Sequence, residues 1–314
     1  MTTIPSGEEL LSYFTTLSNW GRWGPDDEIG TLNLITPQKR RAAASSVQEG
    51  VVVSCSLEID TEPRSGQPLG PVQRHMVSTG PTTEFGTDPD DPTWGRPDWG
   101  AMEYLGMVFH GPTITHLDAL CHNSWEGRLF NGAMADDVTV RSGARVNSMA
   151  AVPDGIVTRG VLLDVARLRE RPWLEIGDGV FPEDLEAAER AQGVVVEEGD
   201  AVLLRTGFPA SGQDVAAGQP GYHAATLPWL HERGVAVLGA DTSQDVVPSG
   251  YRNPKMPIHA VGISAMGLWL LDNCDLERLA KTCERFGRWH FQFVLGSLRI
   301  QGGTGSPVNP LAIF

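Results

Sequence analysis

The chain has 314 residues, 41% hydrophobic and 20% charged, the composition of an ordinary globular protein with room for one large domain or two. A formal net charge of −15 argues against nucleic acid, whose phosphates need basic patches, and against an anionic membrane surface. No apolar leader flanked by basic residues and no apolar run of membrane-spanning length is present, so a cytoplasmic protein is expected.

In chain order, the first element is a short amphipathic helix capped at Ser6, with Glu9 three residues on. The loop NWGRWGPDDEIGTLNLITP carries Trp20 and Trp23, aromatic anchors for packing, for an active-site rim or for a subunit contact. A helix over PQKRRAAASSVQEG follows, so that residues up to about 45 form an N-terminal arm, and then a strand at VVVSCSLEI. From about 60 to about 100 the chain shows little periodicity. So long an irregular loop, rich in Pro and holding Trp94, is expected to cover the substrate or to meet a partner subunit.

The apolar run EYLGMVF predicts a strand, broken by Gly111-Pro112. Beyond it lies a concentration of chemistry: of eight histidines, three fall between positions 110 and 122, as His110, His116 and His122, together with Asp118. Imidazoles and a carboxylate so spaced suit a divalent metal. If TITHLD is extended, His116 and Asp118 share one face. His122 joins them only if the chain turns after Asp118, which makes it a neighbouring base rather than a ligand. The plainer alternative is a buried His116–Asp118 hydrogen-bonded pair with the other histidines on the surface.

Strand-like runs follow at TRGVLLDV, DAVLLRTG and GVAVLGADTS, with helices at AATLPWLHERG and DLERLAKTCERFG, and WHFQFVLGSLRI reads as a long strand. Interleaved strands and helices give an α/β class. HAVGISAMGLWLLDN sets His259 and Asp272 on either side of an apolar element, and Asp241 ends the run VAVLGAD, where α/β folds place functional groups. With the first cluster, these three supply a second ligand set. Cys55, Cys121, Cys274 and Cys283 form no CxxC pair and read as small buried hydrophobes. A Cys121 thiolate beside His122 is the less favoured reading, because adjacent side chains of a strand or helix diverge. The segment Gly262-Ile-Ser264-Ala-Met-Gly267 is one residue too long for a nucleophile elbow, and GGTGSPVNP lacks the lysine of a phosphate loop and reads as a tight turn.

The run Thr115-His-Leu-Asp-Ala-Leu-Cys-His122 resembles the signature of the metal-dependent cyclase family, which includes bacterial kynurenine formamidase and isatin hydrolase. NWGRWGPDDEIGTLNLITP, LPWLHERGVAVLGAD, IHAVGISAMGLWLLDN and LRIQGGTGSPVNP are similar to segments of this family's longer members, so the resemblance spans nearly the whole of residues 1–314 as one domain. It implies a swivelling β/β/α-type fold with a mixed sheet and flanking helices, assembled as a homodimer or homotetramer. It also implies Zn2+ or Mn2+ and hydrolysis of an amide, lactam or related acyl bond. By this resemblance His116 and Asp118 are metal ligands, Asp118 able to bridge two ions, and His122 is the catalytic histidine. His259 falls on a ligand of the second metal site, and Asp272 stands one residue beyond the place of a glutamate ligand. One position departs from the pattern: four residues before His116, where the family's hydrolases carry a ligand histidine, stands Pro112. His110 substitutes if the Gly-Pro turn swings it inward.

The expected function is therefore metal-assisted hydrolysis of a small substrate. An ion on His116 and Asp118, with His110 or His259, would acidify a water, and His122 would serve as the base. Trp20, Trp23 and Trp94 offer an apolar wall for a cyclic or aryl group. Two rivals stand beside it: a metal-dependent cyclisation or dehydration, and a binding protein that keeps the pocket without turnover.

Overall fold

The computed structural model describes residues 3–63, 70–79 and 101–314. Its strands are β1 Val52–Ser54, β2 Gln73–Thr79, β3 Ala101–Gly106, β4 His116–Asp118, β5 Val138–Thr139, β6 Gly143–Ala144, β7 Ile156–Asp164 and β8 Gly179–Val180. They continue with β9 Ala201–Arg205, β10 Gly221–Tyr222, β11 Val237–Ala240, β12 Trp269–Asp272, β13 His290–Leu295, β14 Gly305–Pro307 and β15 Leu311–Ile313. The helices are α1 Gly7–Thr16, α2 Pro37–Ser45, α3 Val165–Leu168, α4 Pro182–Gln192, α5 Leu227–Glu232, α6 Pro257–Val261 and α7 Glu277–Phe286.

Nine strands form one mixed sheet in the order β1-β15-β13-β7-β9-β11-β12-β4-β14. Its centre, β7-β9-β11-β12, is parallel. These strands read GVLLD, AVLLR, VLGA and WLLD and are buried almost throughout, as parallel strands covered on both faces must be. Antiparallel strands close both sides, β13, β15 and β1 on one and β4 and β14 on the other. Helices flank the sheet, so the expected α/β class and mixed sheet are what the chain adopts.

The local signals hold where they are strong. Ser6 Oγ accepts from Glu9 N at 3.1 Å and opens α1, and α7 ends on Gly287 in the left-handed conformation (φ 61°) that glycine tolerates best. Helix α4, which the sequence reading did not single out, begins with Pro182 in its first turn, and Asp184 accepts from Phe181 N at 2.9 Å.

Two expectations change. The long strand at WHFQFVLGSLRI stops at Leu295, and Leu298 and Ile300 are solvent-exposed beyond it. The stretch expected to be irregular from 60 to 100 contains a strand: Gln73–Thr79 pairs antiparallel with Ala101–Gly106 as a separate ribbon. Its order comes from this distant partner rather than from alternation in QRHMVST, so no local pattern announces it. Residues 64–69 and 80–100, the latter holding Trp94, lie outside the described residues.

Asp272 is the last residue of β12, at the carboxyl end of the parallel core, and β4 lies beside it. That edge is where open α/β sheets carry their ligands. No helix among the described residues is long and apolar enough to cross a membrane.

Candidate metal centre

Strand β4 is clasped on both sides. Asp118 is the register partner of Leu270 on β12 and of Gly305 on β14, and His116 of Asp272 and Pro307. Alternation puts Leu117 on one face, fully buried, and His116 and Asp118 together on the other. Directly paired residues of an antiparallel ladder share a face, so Asp272 joins them from β12. The His116 Nδ1 atom lies 2.8 Å from the Ile114 carbonyl oxygen, which only accepts, so Nδ1 carries the proton. Nε2 is left as a lone pair, 3.5 Å from Asp118 Oδ1 and 3.9 Å from Asp272 Oδ2.

The Gly-Pro break does swing His110 inward. Gly111 adopts φ 147°, and His110 Nε2 pairs with Thr304 Oγ1 at 3.1 Å. Its Nδ1 then comes within 3.0 Å of Asp118 Oδ1, close but out of line for a hydrogen bond. Space for the ring depends on Gly305, where a Cβ would stand 2.8 Å from His110 Cε1. After Asp118 the chain turns as the sequence required. His122 N donates to Ala119 O at 2.9 Å, and His122 Nε2 reaches 3.8 Å from Asp118 Oδ2. The His110 and His122 rings stack at 4.0 Å, only 10° from parallel. Their side chains are 24% and 28% exposed while Asp118 is sealed, so the centre opens to solvent on this side.

His259 arrives from the first turn of α6. Its Nδ1 lies 2.7 Å from Asp245 Oδ2, and the backbone N–H groups of Ile258 and His259 donate to the same carboxylate at 2.7 and 3.2 Å. Its Nε2 sits 3.7 Å from Asp118 Oδ2 and 3.5 Å from Asp272 Oδ2. Such a carboxylate behind an imidazole is the usual brace for a metal-binding histidine. Asp245 was not singled out in the sequence, and neither was Gln244, whose Nε2 donates to Asp272 Oδ1 at 3.1 Å. The cap of α6 comes from a residue well upstream in the chain, so no local capping pattern marks Asp245.

Burial and charge oppose each other throughout this cluster. Burial would raise the Asp118 carboxyl, but His122, His110, His116 and His259 around it hold it well below the usual carboxylate range. Burial pushes the His122 imidazole down to about 4, and the other imidazoles add to this against Asp118, so at neutral pH His122 is an uncharged base. Burial would also strip His259 of its proton, yet Asp272 and Asp245 outweigh it and raise that group well above its ordinary value.

The donor set fits a divalent metal. Both Asp118 oxygens and His110 Nδ1 are buried without a hydrogen-bond partner. Among the described residues two groups of side chains have ligand atoms close enough to hold an ion, His110-Asp118-His122 and His116-Asp118-Asp272, and Asp118 belongs to both. Imidazole nitrogens with carboxylate oxygens suit zinc and the first-row ions near it.

Other expected residues stand elsewhere. Asp241 is not brought into the cluster. Its carboxylate accepts from Thr206 N, Thr206 Oγ1 and Gly207 N at 2.6–3.0 Å, because it ends β11 one strand further from β4 and fastens the loop after β9 instead. Cys121 is buried, and burial pushes its thiol up to about 12, which leaves it inert. Trp20 donates its indole N–H to Ser264 O at 2.7 Å, and Ser264 Oγ donates to Asn123 O, next to His122. Trp23 is half-buried against the core under Arg22. Phe109, which the sequence reading passed over, lies against His110 with ring centroids 4.6 Å apart and borders an apolar groove of about 600 Å3. On the other side, Pro112 and Asn273 line a cavity of about 370 Å3.

Comparison with known proteins places the fold. The Cyclase family, described as "Putative cyclase", matches residues 42–244. A solved structure described as a novel cyclase is 30% identical, with a TM-score of 0.83, and the match covers 95% of this chain and 100% of that one. Isatin hydrolase A from Labrenzia aggregata, bound to benzyl benzoate, is 21% identical with a TM-score of 0.59 over 86% of this chain and 95% of its own. An isatin hydrolase bound to the product analogue thioisatinate is 18% identical, also at 0.59, over 89% of this chain and 99% of its own. Both isatin hydrolases share the fold. No curated protein matches the sequence. With its family match spanning most of the length and a 30%-identical structure superposing over nearly all of it, the chain belongs to the Cyclase family.

Proposed function

We propose that the protein is a metal-dependent hydrolase of an amide, lactam or related acyl bond in a small cyclic or aryl substrate. The observation that carries this reading is Asp118: a sealed carboxylate, without a hydrogen bond, faced by four imidazoles. His116, Asp118, His110, His259 and Asp272 would hold Zn2+ or Mn2+. A bound divalent ion supplies Lewis acidity toward a carbonyl oxygen and toward water. His122, neutral and 28% exposed, takes a proton from water at Nε2 and returns it to the leaving nitrogen or oxygen. His110, stacked on it, fixes the plane of its ring. The groove beside Phe109, with Ile59, Leu105, Leu298 and Ile300, offers an apolar wall for the substrate. Membership of a cyclase family supports a second reading, ring closure with the same base. The products decide, since hydrolysis consumes water and frees an acid. A homodimer or homotetramer is proposed as its assembly.

The test is elemental analysis of the purified protein and of its His116→Ala and His122→Ala variants, followed by turnover of N-formyl amides, lactams and lactones. We expect near-stoichiometric zinc or manganese in the wild type, lost in His116→Ala. His122→Ala should retain it and lose turnover. Metal retained in His116→Ala would sink the site.

A further inference from the structure

Gln244 is fully buried and holds a left-handed backbone conformation, φ 54°, which non-glycine residues adopt at a cost. Its amide orientation is unambiguous. Nε2 lies 2.8 Å from the Leu271 carbonyl oxygen, which can only accept, so the NH2 end must face β12. The second N–H of that group then points at Asp272 Oδ1, 3.1 Å away. The other end, Oε1, is buried without a partner. An unpaired buried carbonyl and a strained backbone are both unfavourable, and the two bonds made by the NH2 end are what the position gains in return.

The consequence falls on Asp272. One oxygen is engaged by Gln244, and the other, Oδ2, faces His116 Nε2 at 3.9 Å and His259 Nε2 at 3.5 Å. The next residue, Asp245, braces His259 at 2.7 Å through Nδ1. In an extended strand adjacent side chains diverge. The left-handed turn at Gln244 lets two consecutive residues each reach a different member of the cluster.

Resting on the reading of this cluster as a metal centre, we propose that Gln244 is a positioning residue that ties down Oδ1 of Asp272 and reserves Oδ2 for a divalent ion. Its neighbour Asp245 aims His259 at the same point, so the turn after β11 sets two of the five proposed ligands while contributing none.

The experiment is a double-mutant cycle read by zinc and manganese affinity, from calorimetry on chelator-treated protein. Gln244→Asn keeps a residue that tolerates positive φ but is too short to reach Asp272, and its thermal midpoint without metal reports any general damage. We expect Gln244→Asn to weaken metal binding roughly 10- to 100-fold, the scale of losing a partner behind a ligand. In the Asp272→Ala background the same change should add nothing. Unchanged affinity in Gln244→Asn, or an equal loss in both backgrounds, overturns the proposal and makes Gln244 a packing residue. So does wild-type affinity in Asp272→Ala. A wild type that takes up neither ion fails differently, by removing the metal centre itself.

Discussion

His116 and Asp272 face each other across the β4–β12 ladder as register partners, with Nε2 of one 3.9 Å from Oδ2 of the other. That pairing joins the histidine-rich segment to the end of the parallel core. A one-residue slip of β4 would turn His116 and Asp118 to the opposite face and bring Leu117 to Asp272. Both neighbours hold the register, since β14 pairs with the other edge of β4.

Asp118→Asn should abolish metal binding and also lower stability. The carboxylate is buried with neither oxygen hydrogen-bonded, but the imidazoles of His122, His110, His116 and His259 favour its charged form in the metal-free protein. With chelator at neutral pH, the variant's thermal midpoint is therefore expected to fall below that of the wild type. With metal at a hundredfold its Kd, the wild type should gain about 2.7 kcal/mol and the variant nothing. Thermal unfolding with and without zinc or manganese checks both halves.

Gly305→Ala should damage the centre without touching a ligand. The added methyl would meet Leu117 O at 2.7 Å and His110 Cε1 at 2.8 Å, and the ring is the part able to move. Overpacking of this kind costs about 1–3 kcal/mol. Metal affinity should fall in parallel, whereas a Gly296→Ala control, whose Cβ has open space, should change neither.

The acid limb of activity should lie below the ordinary histidine range. A base works only when neutral, that is above its pKa, and burial has pushed His122 down to about 4. Activity should therefore persist as pH falls through 6.5 and decline only well below it, provided metal remains bound. A kcat/KM profile at saturating metal tests this, and a limb centred near 6.5 would show His122 freely solvated or not the base.

Asp241→Ala should destabilise the fold and leave metal content unchanged. It strips partners from two buried backbone N–H groups, Thr206 and Gly207, and from the Thr206 hydroxyl. Unsatisfied groups of this kind make a loss of about 3 kcal/mol the expected scale. Denaturant unfolding beside elemental analysis would check it, and a loss of metal would return Asp241 to the ligand set.

By itself the sequence located the histidine–aspartate cluster and gave the class. His116 and Asp118 two apart on a strand, the break at Gly111-Pro112 that frees His110, and the interleaved strands and helices are all local patterns, and each held. Spacing even set the condition for His122, that the chain turn after Asp118. Tertiary structure decided how the distant side chains meet the cluster. The resemblance pointed to His259 and Asp272 and the residue pattern also offered Asp241; β12 brings Asp272 beside β4 and α6 brings His259, while β11, one strand removed, leaves Asp241 outside. Gln244 and Asp245 were invisible because their partners come from α6 and β12, and the strand at Gln73–Thr79 because its order lies in Ala101–Gly106. The physical reason is common to all of these. Periodicity reports which face a residue takes within its own element, whereas bonds between elements depend on how the sheet is ordered.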